Sequence, residues 1–295
     1  MKIKRNDKSD VAVKIVTYVF CIFFAIICIY PFYYIIINSV SGATAVLKGV
    51  YFWPQDLTFI NYQKFFEGSD IVQAFFISVL RTALGTALTI ACCSFLAYLF
   101  TKKEMLFRTF LYRALVCTMY LSAGLIPWYI TMRTYHLQNS FLLYVLPSAI
   151  NAYYIVLLKT YFEQLPAELE ESAMLDGAGL FTIFGRIIIP LSKPIIATVS
   201  LFSAVTQWNS WQDAYFLVTE RSLKPLQLVL YNYLNEAERL AQSMRSGATA
   251  SVAKMLSPES IRMAAIVITV IPILLVYPSL QKFFAKGIMM GAVKG

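Results

Sequence analysis

The chain has 295 residues, of which 59% are hydrophobic and only 14% charged, and its formal net charge is +9. Soluble domains carry about a quarter charged residues, so this balance, with a mean hydropathy of +0.64, argues against a soluble enzyme or nucleic-acid binder and places much of the surface against lipid. A single His and the lack of both a metal-spaced cluster and a G-x-x-x-x-G-K-[ST] loop leave this chain little acid–base, metal or nucleotide chemistry.

A helix needs about 20 mostly apolar residues to cross a bilayer core of about 30 Å. In chain order, six such segments are predicted at 14–38, 71–100, 109–132, 140–162, 190–217 and 261–284. They lack the polar alternation of barrel strands, so helix is the spanning element. A basic tail, 1–13, precedes the first span. That span exceeds the apolar core of a cleavable signal and lacks a small-residue cleavage site, which predicts a retained anchor. Pro127, Pro147, Pro272 and Pro278 fall within spans or at their ends and are expected to kink or end helices. Cys21, Cys28, Cys92, Cys93 and Cys117 lie in apolar runs without metal spacing or an even count; the expectation is small packing residues.

Charge sets the orientation. Lys2, Lys4, Arg5, Lys8 and Lys14 precede span one, and Lys102, Lys103, Arg108 and Arg113 surround the turn between spans two and three. Lys159, Arg186 and Lys193 flank the loop 163–189, and Lys282, Lys286 and Lys294 follow span six. The other side holds only Lys48, Lys64, Arg133, Arg221, Lys224, Arg239, Arg245 and Lys254. The richer side is expected to be cytoplasmic, which puts both termini and loop 163–189 inside and loops 39–70 and 218–260 outside.

Loop 163–189 is polar and glycine-punctuated between two apolar runs. Pro166 suits a first helical turn, and Glu168, Glu170 and Glu171 follow where the helix dipole favours negative charge. Gly177 is suited to a left-handed C-cap. Leu180, Phe181, Ile183, Phe184, Ile187 and Ile188 form a second amphipathic segment, and Pro190 marks the start of span five. Two short helices at a glycine corner are predicted. A connector floating at the headgroups would explain the amphipathicity, but an acidic helix sits badly on a negative leaflet.

Glu171-Ser172-Ala173, Gly177 six positions after Glu171, and Ile187-Ile188-Ile189-Pro190 resemble the "EAA" loop of ABC importer permeases. Ser172 and Ile189 stand where the pattern has Ala and Leu. "LDGAG" at 175–179, "QWNSWQDAYF" at 207–216 and "QKFFAKGIMMGAVKG" at 281–295 resemble the carbohydrate-uptake branch, maltose-type permeases for complex oligosaccharides. The resemblance implies an all-α integral membrane protein with the type I ABC importer permease fold: one permease domain, 1–295, with six transmembrane helices and a cytoplasmic coupling-helix loop. It implies that Glu171 makes polar contacts with a cytoplasmic ATPase subunit, that Gly177 allows the bend, and that Ala173, Leu175, Ala178 and Leu180 pack into the ATPase groove. Asp176, Ile187 and Pro190 complete the motif, and the tail 285–295 reaches between the ATPase subunits. No catalytic residue, metal or cofactor belongs to the chain itself; ATP and Mg sit on the partners. Those partners are a homologous second permease in a heterodimer, two ATPase subunits and an extracellular, lipid-anchored or periplasmic sugar-binding protein. The cargo is an oligosaccharide, large or acidic, and the setting is the cytoplasmic membrane, in a Gram-positive bacterium.

Polar groups within spans are site candidates, because lipid burial is expensive. Trp208, Asn209, Trp211, Gln212 and Asp213 in span five, with Asn151 and Tyr154 in span four, are candidates for a sugar path, since indoles stack on sugar rings. Helical spacing places Trp208, Trp211 and Gln212 on one face and Asn209 and Asp213 on another. Arg81 has two readings, contact with acidic sugars or a structural role pairing with Asp70 or a helix end, and the structural role is the expectation. The outer loop 218–260, with Tyr231, Tyr233, Glu236 and Arg239, is by resemblance the contact to the sugar-binding protein; a lid that binds nothing is the other reading. Three alternatives stand beside the importer: a stand-alone secondary transporter, which would want acidic relays in mid-span; a membrane-bound enzyme, which would need convergent titratable groups; and an ABC permease for peptides or amino acids.

Overall fold

A computed structural model describes residues 8–67, 71–245 and 258–291. All regular elements among the described residues are helical. In order they are α1 (Lys8–Ser39), α2 (Ala43–Lys48), α3 (Ile60–Glu67), α4 (Ile71–Leu99), α5 (Arg108–Thr118), α6 (Leu125–Thr134), α7 (Leu142–Val145), α8 (Ala152–Phe162) and α9 (Ala167–Leu175). There follow α10 (Leu180–Ile183), a π turn (Phe184–Ile188), α11 (Ile189–Leu191), α12 (Lys193–Asn209), α13 (Gln212–Leu217), a 3-10 turn (Arg221–Leu223), α14 (Leu226–Arg245) and α15 (Pro258–Gly291).

The chain divides into two compact units, 1–69 with 233–270, and 70–232 with 271–295. In the first, Val13–Ser39 is apolar over 27 residues and its most apolar stretch buries nothing. Its side chains are those of a helix whose solvent is lipid. Beyond it the chain folds back as a polar knot. Asn38 donates to the Val50 carbonyl at 3.1 Å, and Asn61 donates to the carbonyls of Ser39 and Ser41 at 2.9 and 3.0 Å.

In the second unit α4 is the central post, with α8 and α12 packed along it. Its buried stripe, Ala74, Ser78, Arg81, Gly85, Thr89, Cys93 and Ala97, recurs at helical spacing and is mostly small, which lets neighbouring backbones approach closely. One apolar cluster gathers Tyr98, Ile155, Leu158, Ile183, Ile188 and Val199; a second gathers Leu143, Tyr144, Ala214, Leu217 and Leu228.

Several predicted spans are not single helices. Among the described residues two helices, Val13–Ser39 and Ile71–Leu99, are long and apolar enough to cross a membrane, and Leu180–Leu191 with Lys193–Asn209 qualifies only as a pair bent by 84°. Segment 109–132 breaks between α5 and α6, where Gly124 takes φ +81°. Segment 140–162 breaks between α7 and α8, after Pro147, and 190–217 breaks between α12 and α13. Pro272 and Pro278 behave otherwise than expected of helix-ending residues, because α15 runs through both. Of the cysteines, Cys93 is buried as a packing residue and Cys92 half-buried, whereas Cys21, Cys28 and Cys117 are exposed.

Candidate functional site

Loop 163–189 forms the expected pair of short elements. Pro166 caps α9 with extended backbone, and Glu168 and Glu170 occupy the first turn. The C-terminus closes as a Schellman motif. Gly177 sits at φ +81°, its N–H donates to the Met174 carbonyl at 3.0 Å, and the Ala178 N–H donates to the Ala173 carbonyl at 2.9 Å. Only a residue that tolerates the left-handed region holds that position cheaply.

The two faces of α9 have different fates. On the inner face Glu170 accepts a hydrogen bond from the Tyr98 hydroxyl at 2.6 Å and forms an ion pair with Lys102, whose ammonium also lies over the Tyr98 ring at 4.2 Å. Burial lowers the Lys102 pKa from its ordinary value, with Glu104 pulling the other way. Ala173 and Ala178 pack beside the first apolar cluster. Both are half-buried there. On the outer face Leu175 is 90% exposed, and Met174 and Leu169 are about half exposed; Glu168, Glu171, Asp176 and Gly177 are exposed as well. Leu180 and Phe181 continue this surface, with Phe181 stacked on Phe95 at 5.3 Å. Ile187 is half-buried, Ile188 buried and Pro190 exposed. The sequence singles out Glu171 by its place in the motif; Glu170 is the glutamate of the three that is tied inward.

Several polar residues of the apolar segments form a network around Arg81. Arg81, 2% exposed, meets both oxygens of Asp213, at 2.5 Å and 3.2 Å, in the two-pronged geometry of a strong pair. It also donates to Gln207 Oε1 at 3.1 Å and the Ser210 carbonyl at 3.2 Å, and lies over the Tyr144 ring at 4.5 Å. The expected partner Asp70 lies outside the described residues. Gln207 donates onward to Ser148 Oγ at 2.6 Å and the Tyr144 carbonyl at 3.2 Å. Thr89 donates to the Ser148 carbonyl at 2.8 Å.

The break after Asn209 overturns the shared helical face. Ser210 is extended and Trp211 lies at φ −137°, ψ −21°, so spacing across 208–213 no longer follows one helix. Trp208 is buried, edge-on to Phe75 at 6.0 Å. Asp213 is committed to Arg81. Trp211 stacks on Tyr231 at 4.0 Å and 16°, with Tyr215 edge-on to both. Asn209 accepts from Gln227 at 3.2 Å, and Gln212 is exposed. Thus Trp211 and Tyr231, assigned from sequence to two different sites, form one aromatic platform. Asn151 caps α8, accepting from the Tyr154 N–H at 3.2 Å, and Tyr154 is buried. Tyr233 and Phe65, both in the first unit, pack with ring centroids 5.3 Å apart. The side chains of Glu236 and Arg239, and of the tail 285–295, lie outside the described residues.

The described residues offer no group of three His, Cys, Asp or Glu suited to a metal.

No family model matches the sequence. The chain is 36% identical, over 94% of its length and 96% of the relative's, to a polygalacturonan/rhamnogalacturonan transport system permease protein of Bacillus subtilis. It is 26% identical, over 90% of its length and 91% of the relative's, to a melibiose/raffinose/stachyose import permease protein of the same organism. Among solved structures it superimposes on a chain of a bacterial ABC transporter that imports the acidic polysaccharide alginate. That match has a TM-score of 0.82 and 30% identity, and covers 95% of this chain and 99% of the other.

Proposed function

Because the chain belongs to the permease subunits of carbohydrate-uptake ABC importers, we propose that loop 163–189 is its coupling element and that its cargo is an acidic oligosaccharide. It is a transport subunit of an oligosaccharide importer, not an enzyme. The observation that carries the coupling role is the division of α9. One face is pinned by Glu170, Ala173 and Ala178, while Glu171, Met174, Leu175 and, past the glycine corner, Leu180 are left outward. An apolar side chain as exposed as Leu175 beside carboxylates suits the groove of a soluble partner better than a headgroup layer. Pinning one face makes the loop rigid enough to pass a push into α4 and α12.

The partners follow from the family: a second permease, ATPase subunits that carry ATP and Mg, and an external sugar-binding protein. A heterodimer with two ATPases is the arrangement we adopt. Six spans, broken or bent as the backbone requires, are proposed to lie in the cytoplasmic membrane with both termini inside. The Bacillus relatives fit a Gram-positive host. Acidic cargo is favoured by the polygalacturonan relative and the alginate importer. Arg81 is spent on Asp213, so this chain would meet sugar through the rings of Trp211, Tyr215 and Tyr231 with Gln212 and Asn209.

The test is a gentle-detergent pull-down of the tagged chain, then an ATPase assay with binding protein loaded with galacturonate or neutral oligosaccharides. The expected outcome is a complex of two permeases and two ATPases stimulated by acid-loaded binding protein. A chain that purifies without an ATPase would overturn the coupling reading; stimulation only by neutral sugar would overturn the cargo.

A further inference from the structure

A cavity of about 390 Å³ opens behind the proposed coupling loop, between the turn 100–107, the α8–α9 junction and α11. Its charges do not balance. The two acids on its wall are already paired, Glu163 with Lys159 at 2.6 Å and Glu170 with Lys102. That leaves Lys103 and Arg108 as surplus cations on the same wall, against one further carboxylate in the turn, the exposed Glu104, which is not part of the cavity lining. Lys103 has no ion pair among the described residues, and Arg108 spends one N–H on the Thr101 carbonyl at 3.3 Å, which leaves the rest of its fork free. Immediately beside them Leu106, Phe107 and Phe110 are 81%, 78% and 70% exposed. The turn follows α4, which is apolar enough and long enough to cross a membrane.

Cations beside outward apolar side chains at the end of a spanning helix match one class of ligand, a molecule with a phosphate head and acyl tails. We propose that an anionic phospholipid binds here, its phosphate held by Lys103 and Arg108 and its chains lying over Leu106 and Phe107. A free phosphate would use the two cations but leave the apolar side chains unexplained. The site shares Glu170 and Leu169 of α9 with the cavity wall, so occupancy would brace the proposed coupling loop. That consequence rests on the coupling reading above; the binding itself does not.

The experiment uses the assembled importer, in nanodiscs of phosphatidylcholine alone or with about one-third phosphatidylglycerol. Native mass spectrometry reads retained lipid, and binding-protein-stimulated ATPase reads coupling. The paired variant Lys103→Ala with Arg108→Gln is compared with Lys103→Arg. The expected result is phosphatidylglycerol retained by the parent and by Lys103→Arg, and retention on the order of thirtyfold weaker in the paired variant, as for two cations lost. Stimulation should rise with phosphatidylglycerol in the parent and not in the paired variant. Equal retention by parent and paired variant would overturn the site. Retention that depends on the cations without any effect on stimulation would leave the lipid site standing and remove its link to coupling. Inorganic phosphate that competes the lipid off, and itself restores stimulation in phosphatidylcholine, would make this a free-anion site and overturn the lipid assignment.

Discussion

Replacing Gly177 separates backbone conformation from space. The residue sits at φ +81° and a Cβ built on it meets nothing within 4 Å in this chain. An alanine there therefore pays no steric contact with neighbours, only the left-handed backbone, about 1–2 kcal/mol. That cost falls on a C-cap closed by hydrogen bonds of 2.9 and 3.0 Å, whose alternative is a frayed last turn that redirects Leu175 and Asp176. Since about 1.4 kcal/mol is tenfold in an equilibrium, the bent form of Gly177→Ala would be disfavoured by roughly five- to thirtyfold relative to the parent. Gly177→Asn, which tolerates this region, would lose little, and Gly177→Val, β-branched, the most. The assay is ATPase stimulation by loaded binding protein in the reconstituted importer, where the expected order is Gly, then Asn, then Ala, then Val. If Asn falls as low as Val, the space next to a docked partner matters and the dihedral argument fails. If Ala matches Gly, the bend is not needed for coupling.

Two further substitutions address the buried network. Asp213→Ala leaves the Arg81 guanidinium, 2% exposed, with only the Gln207 and Ser210 acceptors. Breaking one partner of such a pair costs about 3–5 kcal/mol, so the unfolding midpoint of the purified complex should fall clearly. Replacing both, Arg81→Met with Asp213→Leu, should recover part of the loss; a double variant worse than the single would contradict the account. Gly85→Ala would set a Cβ onto the Gln207 amide, forcing it from Ser148 and Tyr144 at a cost on the order of 1–3 kcal/mol. An unchanged midpoint would mean that Gln207 has another rotamer with equal bonds.

How much of this was legible follows from what each signal measures. Hydropathy sees where apolar residues run, so α1 and α4 were plain. It does not see backbone direction, so the breaks at 119–124, 146–151 and 210–211 were hidden inside runs that stay apolar. The glycine corner was legible because Gly177 is needed for its dihedral, and the structure supplies both hydrogen bonds of the cap. Helical spacing failed across Trp208–Asp213 because it assumes a continuous helix. The pairing of Arg81 with Asp213 crosses 132 positions and has no local signal. A charged residue in an apolar segment does demand a partner, but not a particular one.

Four polar residues of α4 and α12, Arg81, Thr89, Cys93 and Gln207, share one physical reason. Where a chain breaks its helix at membrane depth, the freed carbonyls need donors that lipid does not provide. Around the α7–α8 break those donors come from neighbouring helices. Gln207 reaches the Tyr144 carbonyl, Thr89 reaches that of Ser148, and Cys93 Sγ lies 3.6 Å from that of Ala149. At the α12–α13 break Arg81 serves the Ser210 carbonyl. These donors lie at 81, 89 and 93 on one stripe of α4 and at 207 on α12, with Gly85 between them to let the Gln207 amide in. Helix α4 also bears Tyr98 near its C-terminal end, where the hydroxyl donates to Glu170 of α9. Two broken segments, 140–162 and 190–217, are thus stitched to the same helix, α4.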